Sequence, residues 1–365
     1  MEISRKKIVV AMSGGVDSST VAALLHEQGH EVIGITLQLY DHGIALEKKG
    51  ACCAGQDIYD AQMAAEKIGI PHYVLNYESI FKQSVIEDFA DSYLRGETPI
   101  PCVRCNQKVK FQDLFKVAKD LGADSLATGH YVRKVVADSK SQLHKGIDHS
   151  KDQSYFLFTT TQKQLDFLEF PLGGFKKEET RVLAKQFGLE IADKPDSQDI
   201  CFVPNGNYAK VIEKLRPEAF AVGEVIDISG NVLGYHNGIV NYTIGQRRGL
   251  GISNGQPLYV IKIKPETNQV VVGFKEDLNA TWLKVSEINW LGDEEISSGS
   301  KIECMVKLRS AHKGINATVH FTNSQNAKVE LSKPYAGITP GQACVMYQGE
   351  RMLGGGWIGA FNNDS

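Results

Sequence analysis

The chain has 365 residues, 42% hydrophobic and 23% charged, with a formal net charge of −3. No run approaches the roughly 18 consecutive apolar residues of a membrane span, and the length allows two or three domains. Met1 to Lys7 holds no signal-peptide core, and the seven cysteines are odd in number and scattered, which argues against a secreted disulfide framework and for a cytoplasmic protein with no membrane partner. Mild acidity counts against a globally basic nucleic-acid binder but leaves room for local cationic patches.

Lys7-Ile8-Val9-Val10-Ala11-Met12 is short, apolar and β-branched, and predicts a buried strand. Thr20 to His26, with Val21, Leu24 and Leu25 on one side, predicts a helix. Ser13-Gly14-Gly15-Val16-Asp17-Ser18-Ser19 must turn from one to the other. Its two glycines reach dihedrals closed to other residues and leave backbone N–H groups uncovered. Ser18 and Ser19 add hydroxyl donors where the helix begins. Free N–H groups at a helix start make an anion site, so this stretch predicts a phosphate turn. It is not the Gly-x-x-x-x-Gly-Lys-Ser/Thr loop, because the chain has no Gly-Lys pair, and it lacks the third glycine of a dinucleotide fingerprint.

From residue 7 to about 135, strands and helices alternate. Strand-like runs are Lys7–Met12, Val32–Leu39, Tyr73–Leu75 and Ser125–Thr128; helical runs lie near Ser18–Gln28, Ile58–Ile68, Ile80–Leu94 and Phe111–Leu121. That order predicts a parallel sheet covered on both faces, with ligands beyond the carboxyl ends of its strands. The phosphate turn, Leu37-Gln38 and Ala127-Thr128-Gly129-His130-Tyr131 all belong to that edge. Gly129 admits a nucleotide close to the backbone. His130 is equally a substrate contact or a packing histidine.

Thr98-Pro99-Ile100-Pro101-Cys102-Val103-Arg104-Cys105-Asn106 is stiffened by two prolines and predicts a helix only after Pro101. Cys105 then sits near a helix start beside Lys108 and Lys110, where a thiol pKa is lowered. Cys-x-x-Cys suits a redox pair, half a zinc site or part of an iron–sulfur site; no second such pair exists to complete four zinc ligands. Lys151-Asp152-Gln153 precedes an aromatic run, Lys176–Lys194 reads as an exposed helix closed by Gly188, and Cys201 follows Asp196-Ser197-Gln198-Asp199-Ile200. A cysteine such as Cys201 is by itself more often a small buried hydrophobe than a catalyst. Beyond about residue 207 the pattern becomes β-rich, with turns at Gly230-Asn231, Asn237-Gly238 and Asn254-Gly255, and predicts short antiparallel strands. Thr243-Ile244-Gly245-Gln246-Arg247-Arg248 suits a phosphate or RNA contact. Residues from about 276 onward, including Val306–Arg309, Ala327–Leu331 and Ala343–Tyr347, predict a small barrel.

The turn Ser13–Ser19 resembles the pyrophosphate-loop signature of the ATP pyrophosphatases. Together with Thr98-Pro99-x-Pro101, Ala127–Tyr131, Lys151–Leu157, Cys201-Phe202, Thr243–Gly251 and Thr339-Pro340-Gly341-Gln342, it makes nearly the whole chain resemble the tRNA-specific 2-thiouridylase family. The resemblance implies an α/β, parallel-sheet PP-loop ATP pyrophosphatase domain (adenine nucleotide alpha hydrolase-like) over residues 1–206. A central β domain over 207–275 and a C-terminal β-barrel over 276–365 would follow. It implies 2-thiolation of the tRNA wobble uridine with ATP and Mg²⁺, and sulfur from a donor protein (a cysteine desulfurase or sulfur relay). By motif match Ala11, Met12, Ser13, Gly14, Gly15, Val16, Asp17, Ser18, Leu37 and Gly129 hold the nucleotide. Cys201 carries a persulfide with Cys105 as its partner. Ile100, Pro101, Cys102, His130, Lys151, Asp152, Gln153, Arg309, Ser310 and Gln342 match tRNA-contacting positions. The chain departs from the family at Cys102, where some members have Asp, and at Ser310, where the family has Tyr. Cys102, Cys105 and Cys201 are also a ligand set for a [4Fe–4S] cluster, which would replace the persulfide. An ATP pyrophosphatase acting on a small-molecule carbonyl is the alternative, but it leaves the β-rich half unexplained.

Overall fold

The structure, a computed structural model, describes residues 5–40, 53–196, 200–203, 206–252 and 255–361. The chain forms two compact units, one of Met1–Val85, Cys102–Gln198 and Glu350–Met352, the other of Ile86–Pro101, Asp199–Gly349 and Leu353–Ser365. The alternating N-terminal region is therefore interrupted by a segment that packs with the β-rich half.

The first unit contains β1 (Lys7–Ala11), β2 (Glu31–Gln38), β3 (His72–Asn76), β4 (Ser125–Ala127), the hairpin of β5 (Val132–Ala137) and β6 (Lys140–Lys145), and β7 (Leu168–Glu169). Five of them form a sheet in the order β3-β2-β1-β4-β7, and each pairing within it is parallel. Ile8, Val9 and Val10 are buried on both faces, which is why β1 reads as a continuous apolar run and not an alternating one. The helix α1 (Val16–Glu27) packs between α2 (Cys53–Ile68) and α3 (Lys177–Gln186). Its burial extends beyond the expected side: Val21, Ala22, Ala23 and Leu25 are buried while Leu24 is only half-buried. Chain order reverses at β1, with β2 on one flank and β4 on the other. The crevice beyond the carboxyl ends of β1 and β4 is the usual ligand position of such a sheet.

The expected helix over Ile80–Leu94 is broken into Glu78–Phe81, a π-helical stretch Lys82–Ile86, and Glu87–Leu94. The expected helix over Phe111–Leu121 starts ten residues earlier than its first expected residue, at Pro101, and passes through a π-helix over Cys105–Leu114. Pro101 is itself the first helical residue, one position before the expected start, because an N–H at that place would have no helical partner to lose.

In the second unit, Glu87–Leu94 packs against the helix Tyr208–Leu215. Tyr93 stacks on Tyr208 with centroids 4.9 Å apart, and Phe89 meets Phe202 edge-on at 5.2 Å. The strands β8 (Val222–Asp227), β9 (Val232–Asn237), β10 (Tyr259–Lys264) and β11 (Gln269–Gly273) form a sheet in the order β10-β11-β8-β9. Two pairings are antiparallel as expected, but β11 lies parallel to β8. The long connection from β9 to β10 carries the second hairpin round so that β11 enters beside β8 in the same direction. Gly230 and Gly238 have positive φ at the predicted turns; Asn254 lies outside the described residues. The strands β12 (Asn279–Trp290), β15 (Asn326–Ala336), β14 (Ile315–Asn323), β13 (Lys301–Lys307), β16 (Ala343–Gln348) and β17 (Arg351–Phe361) pair in that order, and β17 pairs again with β12. This closes the expected barrel. One core, including Val225, Val270, Leu283, Val319 and Val329, joins it to the smaller sheet.

Candidate active site

The turn after β1 is held from inside. The Ser18 hydroxyl accepts the Ser13 N–H at 3.0 Å and donates to the Gly15 carbonyl at 3.3 Å. Ser18 and Ser19 are both buried; the Ser18 hydroxyl is spent on the turn, and the Ser19 hydroxyl makes no hydrogen bond, so neither is the freely exposed donor the sequence suggested. Gly14 has φ +72°, and a Cβ there would strike the Asp57 carbonyl. Gly15 precedes α1 with no side-chain cap, which leaves a helix start whose N–H groups suit an anion.

Beside the turn is a cavity of about 240 Å³. Ala11, Met12, Ser13, Asp17 and Ser18 line one wall; Ile35, Leu37 and Leu39 line a second; Thr128, Gly129 and His130 line a third. Lys110, Leu114 and Gln153 complete it. Gly14, Gly15 and Val16 shape the turn without lining the cavity. A Cβ on Gly129 would lie 3.0 Å from the Ser18 nitrogen and 3.1 Å from Asp17 Cβ. Glycine is needed there because the end of β4 presses on the start of α1.

Asp17 is fixed by residues that the sequence did not single out. Lys177 Nζ stands 2.7 and 2.8 Å from its two carboxylate oxygens, and the Tyr131 hydroxyl donates to it at 2.8 Å. Burial first, then the Asp17 charge, raises the Tyr131 pKa. Tyr131 also reaches the Thr180 hydroxyl at 3.0 Å, so Thr180 is fully buried where an exposed helix was expected. Lys177 Nζ further contacts Asp196 at 2.8 Å, and Asp196 is paired with Lys151 at 2.7 Å and Arg181 at 3.0 Å. Despite partial burial, Lys151 and Lys177 lower the Asp196 pKa to about 2. His130 Nδ1 lies 2.8 Å from the Thr128 hydroxyl. Burial, then Lys110, lowers its pKa to about 3, so it brings no positive charge to the cavity at neutral pH.

Three family profiles match the chain in succession: "tRNA methyl transferase HUP domain" over residues 6–205, "tRNA methyl transferase PRC-barrel domain" over 209–274, and "Aminomethyltransferase beta-barrel domain" over 280–358. The chain is 62% identical over 351 residues to the protein named tRNA-specific 2-thiouridylase MnmA in Rickettsia massiliae (strain Mtu5), covering 96% of each. It belongs to the tRNA-specific 2-thiouridylase family. The protein of the same name from Rickettsia conorii (strain ATCC VR-613 / Malish 7) is also 62% identical, over 96% of this chain and 95% of that one. A solved 4-thiouridine synthetase–RNA complex with bound ATP aligns over 58% of this chain and 51% of that chain at 18% identity, with a TM-score of 0.38.

In this 2-thiouridylase-family chain the remaining predicted residues fall in both units. Lys151 is engaged with Asp196; Asp152 accepts the N–H groups of Gly146 and Ser154; Gln153 accepts the Tyr131 N–H. In the second unit Ile100 and Pro101 are buried. Gln342 donates to the Thr98 carbonyl at 2.9 Å, Arg309 donates to the Thr339 hydroxyl at 2.9 Å, and Ser310 is exposed. Arg247 and Arg248 are exposed on a loop tied by Gln246, which accepts the Thr243 N–H and donates to the Arg248 carbonyl.

Cys102 and Cys201 are exposed and Cys105 is buried. Burial raises the Cys105 thiol pKa, and Lys110 only partly opposes it. The expected depression by a helix start is overturned because Cys105 lies a turn inside the helical run and away from water. Among the described residues, no three His, Cys, Asp or Glu side chains are grouped to hold a metal ion. The residues Ser197, Gln198 and Asp199 that lead to Cys201 lie outside the described residues. Among the described helices, none is long and apolar enough to cross a membrane.

Proposed function

We propose that this chain is an ATP-dependent tRNA-uridine 2-sulfurtransferase acting on the wobble uridine. The cavity between the Ser13–Ser19 turn and Thr128-Gly129-His130 carries this reading, in a chain of the 2-thiouridylase family. ATP lays its phosphates on the turn, with Leu37 and Gly129 against the nucleoside. The uridine C2 oxygen attacks the α-phosphorus and pyrophosphate leaves. A persulfide on Cys201, supplied by a cysteine desulfurase or sulfur relay, attacks C2 through its terminal sulfur, and AMP departs with the C2 oxygen. Cys105 then attacks the Cys201 sulfur. The thiolated base is released, and the resulting Cys105–Cys201 disulfide is reset by a thiol reductant. Burial keeps Cys105 a thiol at rest, which suits a group needed only after sulfur has reached the base.

Mg²⁺ would enter with ATP and neutralise its phosphates; both Asp17 oxygens are already engaged by the protein's own donors. A [4Fe–4S] cluster would need Cys102, Cys105 and Cys201 as thiolates. Among the described residues these three thiols are not grouped as metal ligands, so the donor set does not fit a cluster. We assign catalysis to residues 1–206, a central β domain to 207–275 and the barrel to 276–365, in a cytoplasmic enzyme. Lys151, Asp152, Gln153, His130, Arg309, Ser310 and Gln342 contact tRNA, as does Cys102, and the buried Ile100 and Pro101 shape the backbone beside it.

The test uses purified protein, an unmodified tRNA transcript, α-labelled ATP and a cysteine desulfurase with cysteine. AMP release and 2-thiouridine, the latter read by nucleoside mass spectrometry, should both require tRNA. ATP cleavage driven by a small carbonyl compound, with tRNA inert, would overturn the assignment.

A further inference from the structure

Lys177 is buried, yet its ammonium bridges two carboxylates from distant parts of the chain, Asp17 and Asp196. Asp17 is on the wall of the cavity where a polyphosphate would lie. An unpaired carboxylate there would repel that ligand, and at a half-buried site water screens the repulsion poorly. Asp196 keeps Lys151 and Arg181 as partners whatever Lys177 does. Asp17 has no second cation among its described partners: its other donor is the neutral Tyr131 hydroxyl.

We infer that Lys177 is a positioning residue for nucleotide binding: it neutralises Asp17 and, with Tyr131, holds that carboxylate so that the N–H groups at the start of α1 meet phosphate without an opposing charge. The inference rests on the ATP-binding reading above. Lys177 need not touch the nucleotide. Its role is to cancel a charge that the turn requires for its shape, because Asp17 anchors the first turn of α1 to Tyr131 and through it to Thr180.

The experiment compares wild type, Lys177→Met, Lys177→Arg and the double variant Lys177→Met/Asp17→Asn. ATP affinity is measured by titration calorimetry and tRNA affinity by filter binding. Lys177→Met should weaken ATP at least tenfold and leave tRNA affinity within about twofold. Lys177→Arg should keep most ATP affinity. The double variant should recover most of what Lys177→Met loses, since an amide keeps the Tyr131 hydrogen bond and removes the stranded charge. A merely structural lysine predicts parallel loss of ATP and tRNA binding and no recovery, and either result overturns the inference, as does unchanged ATP affinity in Lys177→Met. If Lys177→Met does not fold, the double variant decides: near-native ATP affinity supports the inference, and loss of ATP binding in a variant that still binds tRNA overturns it. A wild-type protein that fails to bind ATP removes the functional reading itself, and the inference with it.

Discussion

The hydroxyl of Ser18 closes onto the backbone N–H of Ser13 at 3.0 Å, five residues back across the glycine pair. The turn is thus shaped before any ligand arrives, and its N–H groups need not reorganise to meet phosphate.

Disturbing that turn should remove catalysis and spare RNA binding. Ser13→Ala or Asp17→Ala should lower tRNA-dependent AMP release by a hundredfold or more, roughly the loss on removing a preorganised electrostatic group. tRNA affinity, read by filter binding, should stay within about twofold. Normal turnover by Asp17→Ala would show that the turn is not the phosphate site.

The thiols should separate by role. Cys201→Ala and Cys105→Ala should both abolish 2-thiouridine formation, whereas Cys102→Ala should keep substantial activity. The measurement is thiolation by each protein prepared with and without oxygen, with iron and sulfide assayed in parallel. An inactive Cys102→Ala protein that has also lost bound iron would favour a cluster over the persulfide.

Arg247 and Arg248 are exposed on a loop tied by Gln246 and should meet RNA phosphates. Plotting log affinity for tRNA against log salt should give a steep negative slope, reduced by about one for each arginine replaced by alanine. Lys151 is paired with Asp196, so Lys151→Ala should alter the slope less than either arginine change. An unchanged slope in the double arginine variant would relocate the RNA surface.

His130 makes acid stability a readable quantity. Its pKa is lowered from 6.5 to about 3 in the native protein. Between those values the unfolded chain binds a proton that the native chain refuses, so stability falls as pH drops from 6.5 towards 3. The share due to His130 should be about 3 kcal/mol by pH 4. Denaturant titrations of wild type and His130→Asn at pH 7 and pH 4 should show a smaller pH-dependent loss in the variant. Equal losses would mean that His130 titrates normally.

The sequence made β1 and its turn legible because their signals are local: a β-branched run buried on both faces, then two glycines at a helix start. The π-helix over Cys105–Leu114 was not legible, since its repeat differs from the 3.6-residue pattern that marks an α-helix. The sense of the Cys105 pKa was not legible either, because burial by the fold sets it. Lys177 was hidden for another reason. In Lys176-Lys177-Glu178-Glu179 it looks like any solvated charge, and its partner Asp17 is 160 residues away. Tyr131 and Asp196 lay inside recognised motifs, but only the fold shows that they converge on the same turn.

The hydrogen bond from Gln342 to Thr98 spans 244 residues. A ribosome adding about 5–20 residues per second needs roughly 12–50 seconds to cover that stretch. Throughout that time the emerging segment around Thr98 lacks the Gln342 side chain and the Pro340 carbonyl to which its N–H donates. A protein that stalls or terminates before the last barrel strands leaves the ribosome with this segment unfinished, and quality control would meet it as an incompletely folded nascent chain.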